Sequence, residues 1–363
     1  MVRATRFLAA VALLCGLTAC GTSPGGTEST TPSAPAAPSG SPRLAFQWLA
    51  GGGDGVLIDY FDGSGPVPIL EDSPGDQIHP DFSPDGASLA YIVATPDSGT
   101  VWTANADGSD AKEVAGCAAP CLHYDYVDWS PDGAELLLLR YNGPAGEGGL
   151  PASSTLARLD LAAGEIADLI TSEPNTFFNN PRWSPDGASY CINLLSGDET
   201  RLTGSAIAVG SIDGGAPAEI TDRAEFGAYC DWHPTDNLLV FTTYDLQDFQ
   251  EMDPERASNL FTVRPDGTEL QALTTYEPVG IRATQPRWSP DGQQIVFTKV
   301  EGSGMAAARL RRSPSPTAQW GRSSAPSTST ARIRFSRRSR RAPRTGNRES
   351  GIEVHPLGLE PRT

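Results

Sequence analysis

A short motif, a large aromatic residue followed by Ser-Pro-Asp-Gly, recurs along this chain and constrains its fold more than any other sequence feature. Five copies, the fourth of them degenerate, are centred on Pro84, Pro131, Pro185, Pro234 and Pro290, at intervals of 47 to 56 residues. Proline presets φ for a type I turn, Ser accepts a local backbone hydrogen bond, and Gly adopts the left-handed conformation that closes a hairpin. The motif therefore predicts one strand–turn–strand element in each of several structural repeats.

The residues after each turn form an apolar run, such as Leu136-Leu137-Leu138. A run that is apolar at successive positions predicts a strand covered on both faces. Each repeat continues with a second apolar segment that ends at a Gly turn, and with a short closing strand such as Leu169-Ile170-Thr171. Four strands in a repeat of about fifty residues is the content of a β-propeller blade. We therefore predict an all-β propeller with four-stranded blades over residues 43–302.

The start of the chain has the order of an export signal. Arg3 and Arg6 precede an apolar stretch, and Leu17-Thr18-Ala19-Cys20 follows. The order predicts a lipoprotein signal peptide over residues 1–19 and acylation of Cys20, which would anchor the chain to a membrane surface. The alternative is an ordinary secretory signal with an incidental cysteine. Residues 20–42 are rich in Gly, Ser, Thr and Pro, which predicts a disordered tether after the lipidated Cys20.

Four further cysteines follow in the propeller region: Cys117, Cys121, Cys191 and Cys230. Outside the cytoplasm an even number of cysteines favours disulfides. Cys117 and Cys121 can close a small loop, and Cys191 and Cys230 lie beside the turns of consecutive repeats. A zinc site is the less favoured alternative, because the spacing is wrong and only His123 is near.

The net charge of −17 conceals a strong asymmetry. Residues 303–363 hold 13 Arg against 3 Glu, so the propeller region is even more acidic than the total. An acidic domain is repelled by nucleic acid, which argues against nucleic acid as a partner. The Arg/Ser/Pro-rich tail, 303–363, is expected to be disordered. It could be a basic arm for an anionic polymer or lipid, but the abrupt reversal of charge where a repeat should be completed favours translation out of frame from about Gly302.

With these repeats the chain resembles the TolB-like family of periplasmic propellers, whose blades carry the same aromatic-Ser-Pro-Asp-Gly signature. The resemblance implies a six-bladed propeller. Arg43-Leu44-Ala45-Phe46 aligns with Gln294-Ile295-Val296-Phe297, so the first blade is expected to lack its initial strand, and the last blade and the ring closure are expected to be incomplete. The first TolB-type proteins are soluble periplasmic partners of an envelope assembly. This chain departs from those proteins because its Leu17-Thr18-Ala19-Cys20 sequence resembles the lipobox, the acylation signal of bacterial lipoproteins.

One polar slot recurs four residues before the motif Ser or its replacement. We call its occupants the slot residues: His79, Tyr126, Asn180, Tyr229 and Gln285. The slot begins the strand that leads into the turn, so these side chains could line one mouth of a central channel and bind a ligand there. The alternative is that they are ordinary polar residues at strand ends.

Two function classes follow. We favour a non-catalytic binding or scaffolding module, without cofactor or metal, for a protein, peptide or glycan ligand. It would be anchored to the outer face of the bacterial cytoplasmic membrane or to the periplasmic face of an outer membrane. The alternative is a metal-dependent polysaccharide lyase, because oligogalacturonate lyases with a similar propeller place His and Gln metal ligands in the channel. Only His79 and Gln285 match that arrangement, fewer than a catalytic metal needs. His233, in place of the turn serine, is expected to be structural.

Overall fold

The structure, a computed structural model, describes residues 44–50, 53–59, 67–68, 74–95, 98–143, 151–197, 202–243, 258–276, 281–301 and 308–312. In these ranges the chain is almost entirely β structure, with one turn of 3-10 helix at Arg223–Glu225. No helix in these ranges has the length and apolar character needed to cross a membrane. The predicted signal peptide, Cys20 and the tether lie outside the described residues.

The strands form successive antiparallel sheets in chain order. The first sheet contains β1 (Leu44–Ala50), β2 (Gly53–Asp59) and β3 (Val67–Pro68). The second contains β4 (Asp76–Phe82), β5 (Ser88–Thr95), β6 (Ser98–Asn105) and β7 (Lys112–Ala115). The third contains β8 (Cys121–Trp129), β9 (Glu135–Asn142), β10 (Ser153–Asp160) and β11 (Glu165–Thr171).

The later sheets repeat the same arrangement. The fourth contains β12 (Thr176–Trp183), β13 (Ser189–Gly197), β14 (Leu202–Ser211) and β15 (Ala218–Glu219). The fifth contains β16 (Gly227–Trp232), β17 (Leu239–Thr243), β18 (Asn259–Val263) and β19 (Gln271–Ala272). The sixth contains β20 (Ile281–Trp288), β21 (Gln294–Glu301) and β22 (Ala308–Arg312). Four of these sheets have four strands, which confirms the predicted blade.

The sequence-based expectations have different outcomes for the two three-stranded sheets, the first and the last. The first sheet begins with β1, the counterpart of β21, which confirms that the initial strand of the first blade is missing from the described chain. In the last sheet, β22 pairs with β21 from Ala308 opposite Thr298 to Arg312 opposite Gln294. This strand lies inside the segment 303–363, for which we expected no β structure. The alternation in Ala308-Arg309-Leu310-Arg311 suits a strand, but the composition of the segment as a whole obscures it.

The chain divides into two compact units. The first unit comprises the residues up to 203 together with 209–218, and the second comprises 204–208 together with the residues from 219 onward. In the first unit, Leu136, Leu137, Leu138 and Leu139 are all completely buried, which confirms that the strand after the turn is covered on both faces. Burial of each such side chain contributes about 1.5–3 kcal/mol. A separate cluster in the second unit is built around Val240, Leu260, Ala283, Trp288, Ile295 and Phe297.

The motif folds as predicted into a turn held by its own side chains. In the third sheet the Ser130 hydroxyl donates to Asp132 Oδ1 at 2.6 Å and accepts from the Glu135 amide at 2.9 Å. The Ala134 amide also donates to Asp132 Oδ1, at 3.0 Å. The hydrogen bond from the Ser hydroxyl holds the pKa of Asp132 below its usual range. Gly133 closes the turn with φ of 72°. The carboxylates Asp85, Asp186 and Asp291 accept the same hydrogen bond from their own motif serines.

In the degenerate fourth copy, His233 replaces the motif serine and accepts the hydrogen bonds of the turn. Its Nδ1 accepts from the Asp236 amide at 2.9 Å and from the Thr235 amide at 3.3 Å. Because Nδ1 accepts, the proton of the neutral ring is on Nε2, which lies 3.2 Å from the Gly292 carbonyl oxygen. The ring also packs edge-on against Trp288, with centroids 4.5 Å apart. These contacts confirm the structural role predicted for His233.

Candidate functional site

Four slot residues occupy the same strained backbone position. His79, Asn180, Tyr229 and Gln285 have φ of 50°, 48°, 54° and 54°. Each begins a β-bulge in the first strand of its sheet, where the register shifts so that two residues oppose one residue of the next strand. Tyr126 also borders a register shift, between Tyr124 and Tyr126 of β8. The slot found in the sequence is therefore a repeated β-bulge.

The bulge explains the residue that follows the slot. Proline follows His79, Asn180 and Gln285 in the sequence. Proline has no amide proton for a ladder hydrogen bond, so within sheets it is tolerated at bulges and edges. A non-glycine residue in the left-handed region costs on the order of 1 kcal/mol, less for Asn than for a bulky residue such as Tyr229. Three polar-Pro pairs at a constant distance from the turn were the sequence signal for this bulge, and our sequence reasoning missed it.

The structure brings His79 and Tyr126 together. Their rings stack with centroids 4.0 Å apart and planes inclined by 12°. His79 Nδ1 lies 2.5 Å from the Asp125 carbonyl oxygen and 3.6 Å from Asp125 Oδ1. Tyr126 is buried and His79 is partly accessible. Adjacent slots in the second and third sheets thus form one aromatic pair beside a carboxylate.

The pair of His79 and Tyr126 contains two of the five slot residues, and the remaining three are described separately. Asn180 belongs to the same unit and is buried. Tyr229 and Gln285 belong to the second unit, where Tyr229 is buried and the Thr298 hydroxyl donates to Gln285 Oε1 at 3.4 Å. A single ligand-binding ring formed by all five remains a prediction.

A charged position immediately before each motif aromatic residue was missed by the sequence analysis. It holds Asp81, Asp128 and Arg182 in the first unit and Asp231 and Arg287 in the second. The signal was present in the sequence, since all five copies carry a charged residue there. We call these five the pre-aromatic residues.

The pre-aromatic residues of the first unit form a buried cluster of charges. Arg182 Nη1 lies 2.7 Å from Asp128 Oδ1 and 3.9 Å from Asp81 Oδ1. The Trp183 amide donates to Asp128 Oδ2 at 2.6 Å, and the Trp129 amide donates to Asp81 Oδ2 at 3.4 Å. Each carboxylate therefore binds the backbone of the motif aromatic residue in the next sheet. The cluster joins the second, third and fourth sheets through groups on β4, β8 and β12.

The second unit repeats this contact. The Trp288 amide donates to Asp231 Oδ2 at 2.7 Å, and Arg287 Nε lies 3.4 Å from Asp231 Oδ1. An aspartate of one sheet again binds the backbone of the next motif aromatic residue and the side chain just before it.

Burial dominates the protonation of the first cluster. Desolvation raises the pKa of Asp128 to about 7, although the Arg182 guanidinium favours the ionised form. Desolvation also raises the pKa of Asp81, against the same guanidinium. Two carboxyl groups share one cation, so a retained proton leaves the cluster neutral. The cluster therefore keeps a proton at pH values where an exposed aspartate is ionised.

The cysteines form disulfides, as predicted. Cys117 and Cys121 are joined with an S–S distance of 2.07 Å across the connection between β7 and β8. Cys191 and Cys230 are also disulfide-bonded. Disulfides persist in oxidising compartments, so this chemistry suits an exported protein.

Metal-ligating side chains do not converge in the described part of the chain. No group of three or more His, Cys, Asp or Glu residues there could hold a metal ion. His79 and Gln285, the two residues that suggested a lyase, belong to different units.

Comparisons with known proteins agree with the fold. No protein-family model matches the sequence. An uncharacterised protein of Agrobacterium fabrum is 25% identical over 118 residues, which are 31% of this chain and 37% of that protein. The crystal structure of TolB from Acinetobacter baumannii matches with a TM-score of 0.52 and 15% identity, over 73% of this chain and 62% of that one. A protein assigned as TolB from Agrobacterium tumefaciens matches with a TM-score of 0.51 and 18% identity, over 74% of this chain and 90% of that one.

This chain has a TolB-like β-propeller fold. A chain of the nidogen/laminin complex shares the fold more remotely, with a TM-score of 0.50 and 8% identity over 70% of this chain and 84% of that one. The TolB-like propeller described here spans less than two thirds of the Acinetobacter baumannii protein. These likenesses establish the fold of this TolB-like propeller and not its ligand.

Proposed function

We propose that this chain is an exported binding module of the bacterial cell envelope, anchored by a lipid on Cys20. The Leu17-Thr18-Ala19-Cys20 sequence supports the anchor, and the disulfides support an oxidising compartment. The membrane would be the cytoplasmic membrane, at its outer face, or an outer membrane, at its periplasmic face. The tether of residues 21–42 would let the propeller reach a ligand away from the lipid surface.

The slot residues would carry the binding. The observation behind this proposal is that four polar or aromatic side chains occupy the same left-handed bulge position, where glycine would fit without strain. Strained backbone positions of this kind concentrate at functional sites. We infer that the side chains, rather than the backbone shape, account for the presence of His79, Asn180, Tyr229 and Gln285 at these positions. We propose further that the sheets belong to a six-bladed propeller whose channel mouth these residues line.

The ligand would be a protein, a peptide or a glycan, and binding would be non-catalytic. A protein is favoured, because a similar propeller structure comes from the nidogen/laminin complex. The acidic charge of the chain disfavours nucleic acid.

Glycine variants test the slots without disturbing the backbone. Purified full-length chain, and its His79→Gly, Asn180→Gly and Gln285→Gly variants, would be used to capture partners from an envelope extract. We expect the wild type to retain a defined partner that the slot variants lose. Thermal unfolding is measured beside capture, because His79 and Gln285 also make contacts within the protein, and capture is compared at a temperature where every variant is folded. Asn175→Gly is the matched control, because Asn175 has φ of 62° in an exposed turn outside the slots. Equal capture by all variants would contradict a role for the slot residues.

The non-catalytic role is tested separately with polyuronate substrates and added divalent metal ions. We expect no turnover. Turnover that His79→Ala abolishes would replace this proposal by the lyase.

A further inference from the structure

The outer strand of the third sheet differs from the other outer strands of the described chain. The sheet order β11-β10-β9-β8 places β11 at the edge. β11 has seven residues, whereas β22 has five, β7 has four, and β3, β15 and β19 have two each. Very short edge strands are one of the common protections against pairing with other chains. β11 lacks this protection, and no described strand pairs with its outer edge.

Some residues that commonly block an edge are absent from β11, and the charged side chains it carries are the acidic Glu165 and Asp168. A register shift leaves Leu169 unpaired, so the regular part of the strand is 165–168. Its sequence, Glu-Ile-Ala-Asp-Leu-Ile-Thr, contains neither Lys nor Pro. Its first four residues are all exposed. Ile166 is 38% exposed and is one of two large hydrophobic side chains exposed to this extent in the described residues, the other being Leu270 at 50%.

The exposed charges on β11 itself are acidic, and on the neighbouring β10 Arg158 lies opposite Ala167 and pairs with Glu135 at 3.5 Å. Glu165 and Glu173 are exposed, and the Asp168 side chain is 52% exposed. Arg140 Nη2 lies 2.9 Å from Asp168 Oδ2, but its side chain is only 17% exposed, so the carboxylate is presented outward and the guanidinium is not. A basic ligand would complement this edge, whereas an acidic one would be repelled.

We propose that the outer edge of β11 binds an extended basic peptide segment as an added strand. Backbone groups along the edge would bond to the peptide, as in other cases of strand addition. Ile166 would pack against an apolar residue of the peptide, and Glu165, on the opposite face of β11, would pair with a basic residue. This surface contains none of the slot residues, so it is a second binding surface beside the one proposed above.

The test uses full-length protein and a labelled synthetic peptide of alternating Lys and Val that matches the seven residues of β11. Fluorescence anisotropy measures its binding, with an alternating Glu and Val peptide as the control. Ile166→Lys places a like charge opposite the peptide and removes the apolar contact, so we expect about tenfold weaker binding. Leu270→Lys is the matched control, because it makes the same exchange at the exposed side chain beside the short β19.

The proposal is supported if the basic peptide binds, the acidic peptide does not, Ile166→Lys weakens binding and Leu270→Lys leaves it unchanged. Equal weakening by both lysine variants would overturn it in favour of diffuse attraction to an acidic protein. Absence of binding would overturn it as well. So would a dimer of the protein, detected by analytical ultracentrifugation, that dissociates in the Ile166→Lys variant. His79→Gly should leave peptide binding unchanged, so a failure at the slots and a failure at β11 are distinguishable.

Discussion

At the scale of single residues, Arg182 lies between the carboxylates of Asp81 and Asp128 and is largely shielded from solvent. The Arg182 side chain is 14% exposed, and the Asp128 side chain is 9% exposed. Removing one partner of a buried charge cluster leaves the others without compensation, which costs more than the pair itself contributes. The cluster therefore makes stability sensitive to one side chain and to pH.

We expect Arg182→Met to lower the free energy of unfolding by about 3 kcal/mol at pH 8, because two buried carboxylates lose their cation. The loss should be smaller at pH 5, where the carboxyl groups can take up protons. Urea unfolding at both pH values measures it. Arg264→Met, which removes an exposed ion pair with Glu269, should change stability little. Equal losses for the two variants would show that Arg182 is not a buried partner.

Asp128 predicts a pH dependence of definite sign. Its pKa rises from 3.8 to about 7 on folding, so the native state keeps a proton that the unfolded state has lost. Its contribution to stability is therefore complete below about pH 4 and is lost as the pH rises through about 7. The difference in unfolding free energy between the wild type and Asp128→Asn should fall across this window and be constant outside it. A difference that is constant, or that rises with pH, would contradict the raised pKa.

At the scale of elements, the turn and the bulge have different determinants. The turn is made by contacts within seven residues of sequence, from the motif Ser to the strand that follows, so it could be predicted from the motif alone. The bulge and the pre-aromatic contacts depend on groups far apart in sequence, such as the Asp128 carboxylate and the Trp183 amide, which are 55 residues apart. Local patterns identify the residue types at these positions but not their partners. The same limit applies to β22, whose pairing with β21 decides its structure.

We expect Ser130→Ala to lower the free energy of unfolding by about 1–2 kcal/mol. Ser130 is only 3% exposed, and the variant leaves the Glu135 amide without its acceptor and Asp132 without its donor. Chemical denaturation measures the change. Ser109→Ala removes a hydroxyl that donates to an aspartate in an exposed turn, so it should have a much smaller effect. A loss as large at Ser109 would contradict the importance of burial.

The bulge predicts different responses to two substitutions of Asn180. Asn180→Gly removes a buried side chain but keeps the left-handed backbone, so it should lower the unfolding temperature less than a β-branched residue does. Asn180→Val places a β-branched side chain in the same conformation and should destabilise by about 2 kcal/mol. Thermal unfolding followed by circular dichroism compares the two. Similar stability of both variants would indicate that the bulge is absent.

At the scale of the whole molecule, the chain combines repeated sheets with disulfides. The four-stranded sheets follow from the spacing of the motif, whereas the division into two units does not follow from any sequence pattern we identified. The sequence predicted that the cysteines would form disulfides and that Cys117 and Cys121 could close a small loop. Cysteine spacing alone does not determine the geometry of the other bonds, so that geometry could not be predicted.

We expect the double variant Cys117→Ser and Cys121→Ser to lose about 2 kcal/mol, because the disulfide closes a short loop and so constrains the unfolded chain only modestly. Unfolding of the oxidised protein and of the variant measures this loss. Mass spectrometry of protein isolated from the envelope should show Cys117 and Cys121 oxidised. Free thiols there would contradict an oxidising location.

The contacts from Asp81 to the Trp129 amide, from Asp128 to the Trp183 amide and from Asp231 to the Trp288 amide all run from one repeat to its successor. The third sheet shows both halves of this contact, because Asp128 accepts from the Trp183 amide of the next sheet and the Trp129 amide donates to Asp81 of the preceding one. Duplication of one repeat in the gene would insert a sheet already fitted to both neighbours. The number of sheets could then change by a single genetic event, without new contacts between sheets having to evolve.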